Sequence, residues 1–158
     1  MAATQSEPGL RDGVDLTAAI DQVIGYFNSR RLDLPDGFFD RKTQFLINGT
    51  PFETLLSAAP NDPLILMLAR GPAGYRFTAK ALQHALPDAK IERGDVACRE
   101  SAVDVKLWLS GTLRGLGEPL NTVVDVSLRL SAAALVEVAE ASMDPATLEK
   151  IRQARLQP

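Results

Sequence analysis

The residues able to do chemistry are few and scattered. Four carboxylates, Asp104, Asp125, Glu137 and Glu140, fall in stretches that alternate polar and apolar residues. Two of them lining a cleft could act as general acid and base. The same alternation marks a sheet face turned to solvent or to a partner, which is the plainer reading. His84 is the only histidine. It could serve as a base, yet its one nearby acid, Asp88, lies beyond Pro87, so a histidine at a helix end on the surface fits better. Cys98, the only cysteine, falls in an expected strand and reads as a buried, inert thiol. One histidine and one cysteine without ligand spacing give no metal site, and no cofactor motif is present. Gly71-Pro-Ala-Gly74 lacks the phosphate-loop pattern and its lysine. No nucleophilic triad can be assembled from spacing.

What remains are polar handles on larger side chains. Tyr26, Tyr75 and Trp108 each join an apolar body to a hydrogen-bonding tip, and Asn48 adds an amide. These four are the candidate ligand contacts. Packing at the margin of a core competes with that role at each position. Trp108 stands on the otherwise polar side of its strand, which suits an interface or the rim of a pocket.

These groups are positioned by a long run of strands. Residues 91–98, 102–113, 120–130 and 135–143 read as four consecutive strands. In the second, Val103, Val105, Leu107 and Leu109 alternate with Asp104, Lys106, Trp108 and Ser110. The third sets Val124, Val126, Leu128 and Leu130 against Asp125, Ser127 and Arg129. A period of two sustained this long gives a sheet with one face in a core. A slip of one residue would expose every apolar group, so register is well specified. Asp104, Lys106 and Arg129 could then pair across strands or across a dimer.

Ahead of the sheet, Asp15 caps a helix expected over 16–30, with Leu16, Ile20, Val23, Ile24 and Phe27 in one stripe. Pro35 and Gly37 break that pattern, and Phe38-Phe39 reads as a short helical or turn segment. Asn48-Gly49 predicts a tight hairpin between 44–47 and 52–56. A loop over 57–61, a short buried helix at 64–68 and a helix over 72–86 follow, the last carrying Tyr75, Ala79, Leu82 and Leu86 on one face. Asp144-Pro145 opens a tail helix docked by Leu148, Ile151 and Leu156. The expected organisation is a disordered lead-in (1–14), one domain (15–143) and a helical tail (144–158). The fold class is α+β, a curved antiparallel sheet with its helices on one face.

The totals narrow the partners. The chain has 158 residues, a net charge of −3 and a hydrophobic fraction of 46%, enough for one domain with a sizeable core. Its charge offers no general attraction to nucleic acid or to anionic membranes. The opening MAATQSEPGLRDG has no apolar core of the kind a secretory signal needs, and no apolar run reaches the roughly 20 residues of a membrane helix. A single cysteine suits a reducing cytoplasm.

Three stretches resemble the nuclear-transport-factor-2-like superfamily, which includes SnoaL-like cyclases and ketosteroid isomerase. They are YFNSRRLD at 26–33 after the first helix, GYRFTAKALQHALPD at 74–88 before the sheet, and the strands at 103–111 and 121–143. The resemblance spans 15–143 and rests on the joint order. It implies a cone, a bent sheet wrapped around helices and leaving an apolar pocket open at one end, and a homodimer through the sheet. Its members include both enzymes and non-catalytic binding domains, so fold does not assign function. Matched to ketosteroid isomerase, the tyrosine donor falls at Val23, the aspartate base near Asn48 and the acidic donor at Val126. The carboxylates of that chemistry are missing.

The expected function is therefore binding of a small apolar molecule in a cone. One alternative is a SnoaL-like cyclase or isomerase working through carboxylates placed elsewhere. The other is a dimerisation module whose cone is filled by Phe38, Phe39, Phe45, Phe52 and Phe77.

Overall fold

The computed structural model describes residues 10–11, 14–32, 39–52, 70–99, 101–131 and 136–157. Expectations at 53–69, including the loop at 57–61 and the short helix at 64–68, lie outside them, as does Phe38. Eleven elements follow in order: β1 (Leu10–Arg11), β2 (Val14–Asp15), α1 (Leu16–Asn28), β3 (Phe39–Ile47), β4 (Thr50–Pro51), α2 (Pro72–Ala85), β5 (Lys90–Arg99), β6 (Ala102–Thr112), β7 (Pro119–Leu130), β8 (Val136–Ser142) and α3 (Pro145–Arg155). β1 and β2 form a small antiparallel ribbon just ahead of α1.

The other strands make one open sheet in the order β4-β3-β8-β7-β6-β5. The four long strands expected from the alternation all form. β6 and β7 pair antiparallel with Val105 opposite Val126 and Lys106 opposite Asp125. β3 pairs parallel to β8, so the sheet is mixed rather than wholly antiparallel. A parallel neighbour needs a long crossover, and everything from β4 to β7 supplies it. Register shifts in β3, between Phe39 and Gln44, and in β5, between Arg93 and Val96, mark bulges, which bend a strand and add twist.

Two local expectations change. Phe39 opens β3 instead of a turn, and its ring packs edge-on to Phe45 at 5.1 Å. α1 stops at Asn28, because Arg30 takes the left-handed conformation with φ 63°. A side chain pays for that conformation with strain. Arg30 is held there by its guanidinium, which donates to the carbonyls of Ala89 and Pro87, each at 2.8 Å. The turn forms, with Asn48 and Gly49 both at positive φ, 49° and 82°, but the strand after it comes directly at Thr50–Pro51 instead of the expected 52–56, with Phe52 already outside it.

The core lies between the inner sheet face and the three helices. Val103, Val105, Leu109 and Leu128 are buried, while their strand neighbours Asp125 and Arg129 are exposed. The buried face of α2 is mostly small residues, Gly74, Ala79, Ala81 and Ala85, with Tyr75 the one large side chain among them. Gly71 precedes it at φ 61° and Pro72 occupies its first turn, where a missing N–H is harmless. α3 is capped by Asp144, whose carboxylate accepts from Thr147 N at 2.9 Å. Leu148 and Ile151 dock it, whereas Leu156 is 49% exposed and does not. Cys98 is exposed rather than buried; it lies near the end of the edge strand β5, opposite Val103 of β6.

Candidate functional site

A partly open cavity of about 200 Å³ lies inside the core. Its wall draws on nearly every element. α1 contributes Ile20, Val23, Ile24 and Phe27, the stripe that helical spacing turns toward the sheet. β3 adds Phe39, Phe45 and Ile47, and Phe52 follows the hairpin. The inner face of β5 to β8 supplies Ile91, Val105, Leu107, Leu109, Val124, Val126, Leu128, Ala139 and Ala141. Met143, Leu148 and Ile151 complete the wall together with Thr78, Ala79 and Leu82 of α2. Thr78 is the only polar residue in this described wall, which contains no ionisable side chain.

The described phenylalanines Phe39, Phe45, Phe52 and Phe77 do not fill this space. Phe39, Phe45 and Phe52 pack on one another, with Phe45 and Phe52 centroids 6.3 Å apart, and stand along the wall. Phe77 is packed against the core outside it. Val23 and Val126, the positions matched to the hydrogen-bond donors of ketosteroid isomerase, both line the cavity. The geometry at those places is a pocket; the chemistry is aliphatic.

The four polar candidates are not brought together. Tyr26 is half-buried outside the wall, its ring stacked under the Arg31 guanidinium at 4.2 Å. Asn48 is exposed on the hairpin, where Nδ2 donates to Met143 O at 3.0 Å and Met143 N donates to Oδ1 at 2.9 Å. Tyr75 is buried beside the wall. Its hydroxyl donates to Arg31 O at 3.2 Å and its ring stacks on Phe39 at 6.4 Å. Burial pushes its pKa up to about 12, so it stays a neutral phenol. Trp108 lies on the outer face, 40% exposed, with its indole over the backbone of Gly94 in the β5 bulge.

Of the four strand carboxylates, Asp104 and Asp125 are engaged in ion pairs rather than poised. Asp104 is held below the ordinary carboxylate range, chiefly by the hydrogen bond from Arg99, whose Nε lies 2.5 Å away. Asp125 pairs with Lys106 at 3.9 Å across β6 and β7. His84 points Nε2 at Gln157 O, 2.6 Å away, and so holds the C-terminal residues against α2. Among the described residues no group of three histidine, cysteine, aspartate or glutamate side chains is arranged to hold a metal ion.

Sequence reasoning missed Thr78. The available signal was its place between Tyr75, Ala79 and Leu82, a hydroxyl on the otherwise apolar stripe of α2.

Comparison with known proteins meets this geometry at the level of fold. No family model and no curated protein matches the sequence. Solved structures do. A candidate polyketide cyclase from Bacillus cereus ATCC 10987 superposes with a TM-score of 0.62 at 16% identity, over 94% of this chain and 88% of that one. A candidate SnoaL-like polyketide cyclase from Jannaschia sp. CCS1 gives 0.58 at 12% identity, over 90% and 92%. A nuclear-transport-factor-2-like protein of unknown function from Exiguobacterium sp. 255-15 gives 0.56 at 13%, over 80% and 98%. The chain has the nuclear-transport-factor-2-like fold. In this cone the helices α1 and α2 and the inner sheet face are the walls already described, and the cavity occupies its interior. At these identities the likeness carries the fold alone. No described helix is long and apolar enough to cross a membrane.

Proposed function

We propose that this protein binds a small apolar molecule inside its cone. The observation that carries this reading is the cavity of about 200 Å³ with a described wall that is apolar except at Thr78. Apolar wall left in contact with water is unfavourable. An occupant that covers it returns part of that energy, and apolar lining with very few polar groups is what small-molecule sites require.

The second reading, a cyclase or isomerase, is favoured by the solved structures named as polyketide cyclases. Proton transfer there would need an ionisable group at the wall, with its pKa moved by burial. The described wall offers none, and every described carboxylate with a displaced pKa is an exposed one moved downward: Asp88, Asp104, Asp144 and Glu149. Binding is therefore the reading preferred here, in a cytoplasmic protein with one reduced cysteine. The same reading covers the outer face with a second copy: Trp108 and Val123, directly opposite across β6 and β7, are both exposed.

Native mass spectrometry of the purified protein tests this. A retained small molecule, lost when Ala141→Phe fills the cavity, is the expected result. A protein that takes up neither a native ligand nor added naphthalene would end the ligand-binding reading.

A further inference from the structure

Thr78 lies in the middle of α2, and its Oγ1 is buried without a hydrogen-bond partner. A helical threonine can donate to the carbonyl one turn back, but Thr78 does not. A buried hydroxyl left unpaired is unfavourable, and in a native protein it calls for an explanation. Water is a poor one here. A buried water is held by about two to four polar partners, and the described wall of the cavity holds a single hydroxyl-bearing residue, whose Oγ1 has no open surface. As the side chain stands, Thr78 meets the cavity through carbon. Threonine is also unusual among branched residues in dividing between two χ1 rotamers in a helix. A turn about χ1 brings the hydroxyl to the wall in place of the methyl.

We infer that Thr78 is the specificity-determining contact of the cavity, and that the ligand is a neutral, mostly hydrocarbon ring compound whose one hydroxyl or carbonyl oxygen pairs with Thr78 Oγ1. This rests on the ligand-binding reading above and narrows it to a chemical class. Charge is excluded by the wall, since an ion would be desolvated with no partner. Size follows from volume. A cavity of roughly 150 Å³ takes up benzene, so about 200 Å³ suits one substituted ring or two fused rings. One hydroxyl gives orientation to a molecule that the rest of the wall would hold in any pose. A second oxygen on the ligand would meet only aliphatic and aromatic carbon.

The test is a matched pair of probes, naphthalene and 1-naphthol, titrated into the wild-type protein and into Thr78→Val, Thr78→Ser and Thr78→Ala. Thr78→Val keeps the shape and removes the hydroxyl, so it should weaken 1-naphthol by roughly 3–10-fold relative to naphthalene. Thr78→Ser should keep the wild-type ratio. Thr78→Ala reads the same ratio should the valine variant fold poorly. Ligand-free Thr78→Val should melt at or above the wild-type temperature, because nothing paired is lost. If both probes bind and their ratio is the same in every variant, Thr78 does not set specificity and the inference is overturned, while the cavity reading survives. If neither probe binds the wild type, the cavity reading itself fails and takes this inference with it.

Discussion

Asn28 grips the main chain of Ile91 on both sides: its Nδ2 donates to Ile91 O at 2.9 Å, and Ile91 N donates to its Oδ1 at 2.9 Å. The last residue of α1 thus acts as a short extra strand on the free edge of β5. That fixes Phe27 and Ile91, two residues of the cavity wall, relative to each other.

The exposed hairpin uses the same device, since Asn48 clasps Met143 with an equivalent pair of bonds. Asn28→Ala should lower folding stability by about 1–3 kcal/mol in urea denaturation, since half-buried main-chain groups lose their partners, and the exposed Asn48→Ala by about 0.5–1.5 kcal/mol. Both should weaken naphthalene binding, because Ile91 and Met143 each line the cavity. Loss of binding in Asn48→Ala at unchanged stability would return Asn48 to the site.

Gly94 has no room for a side chain. A Cβ there would come within 2.2 Å of Trp108 Cζ3, with the indole resting on the strand. Gly94→Ala must therefore lift the ring of the only tryptophan, at little cost in stability because the clash is with the tip of an exposed side chain. Its emission should shift to the red. If a second copy covers Trp108 and Val123, sedimentation should show Gly94→Ala weakening the dimer. A dimer indifferent to both Gly94→Ala and Trp108→Ser would place the interface elsewhere.

Acid should loosen the turn that joins α2 to the sheet. The Asp88 carboxylate accepts from Thr112 N at 2.6 Å and from Thr112 Oγ1 at 3.0 Å. These bonds, the backbone one first, hold its pKa below the ordinary 3.8. A carboxyl lowered by folding contributes stability above its unfolded pKa and loses it as pH falls through the folded value. Melting temperature should therefore fall below about pH 4, and Asp88→Asn should flatten that part of the profile. An unchanged slope in the variant would assign the acid sensitivity to other carboxylates.

Much of this architecture can be read from the residues, and the unread parts have physical reasons. β5 to β8 announce themselves because their alternation is local, and Val103 to Leu109 need no distant partner to be recognised. The parallel pairing of β3 with β8 leaves no such mark, since it joins segments far apart in the chain. Phe39 reads as a turn when judged beside Pro35 and Gly37, and becomes a strand only once Val136 lies opposite it. The site is harder still. Ile20, Val23, Ile24 and Phe27 form the same stripe whether they enclose a solid core or a cavity. Tyr75 and Asn48 stood out through their polar atoms, yet those atoms satisfy backbone groups, the commonest use of a polar side chain in a folded protein. Tyr26 sits one position away from Phe27, and on a helix one position is enough to leave the wall.

The parallel pair also sets an order of events. Thr43 donates to the carbonyl of Val136 across 93 residues of sequence, whereas β5 to β8 join neighbours in the chain. Closing long loops is slow compared with local pairing. During refolding, amides of β6 and β7 should gain protection from hydrogen exchange before those of β3; simultaneous protection would exclude this order. Until β3 arrives, Phe39, Phe45 and Ile47 have no sheet to stand on, so this protein completes its fold and encloses its apolar cavity in a single late step.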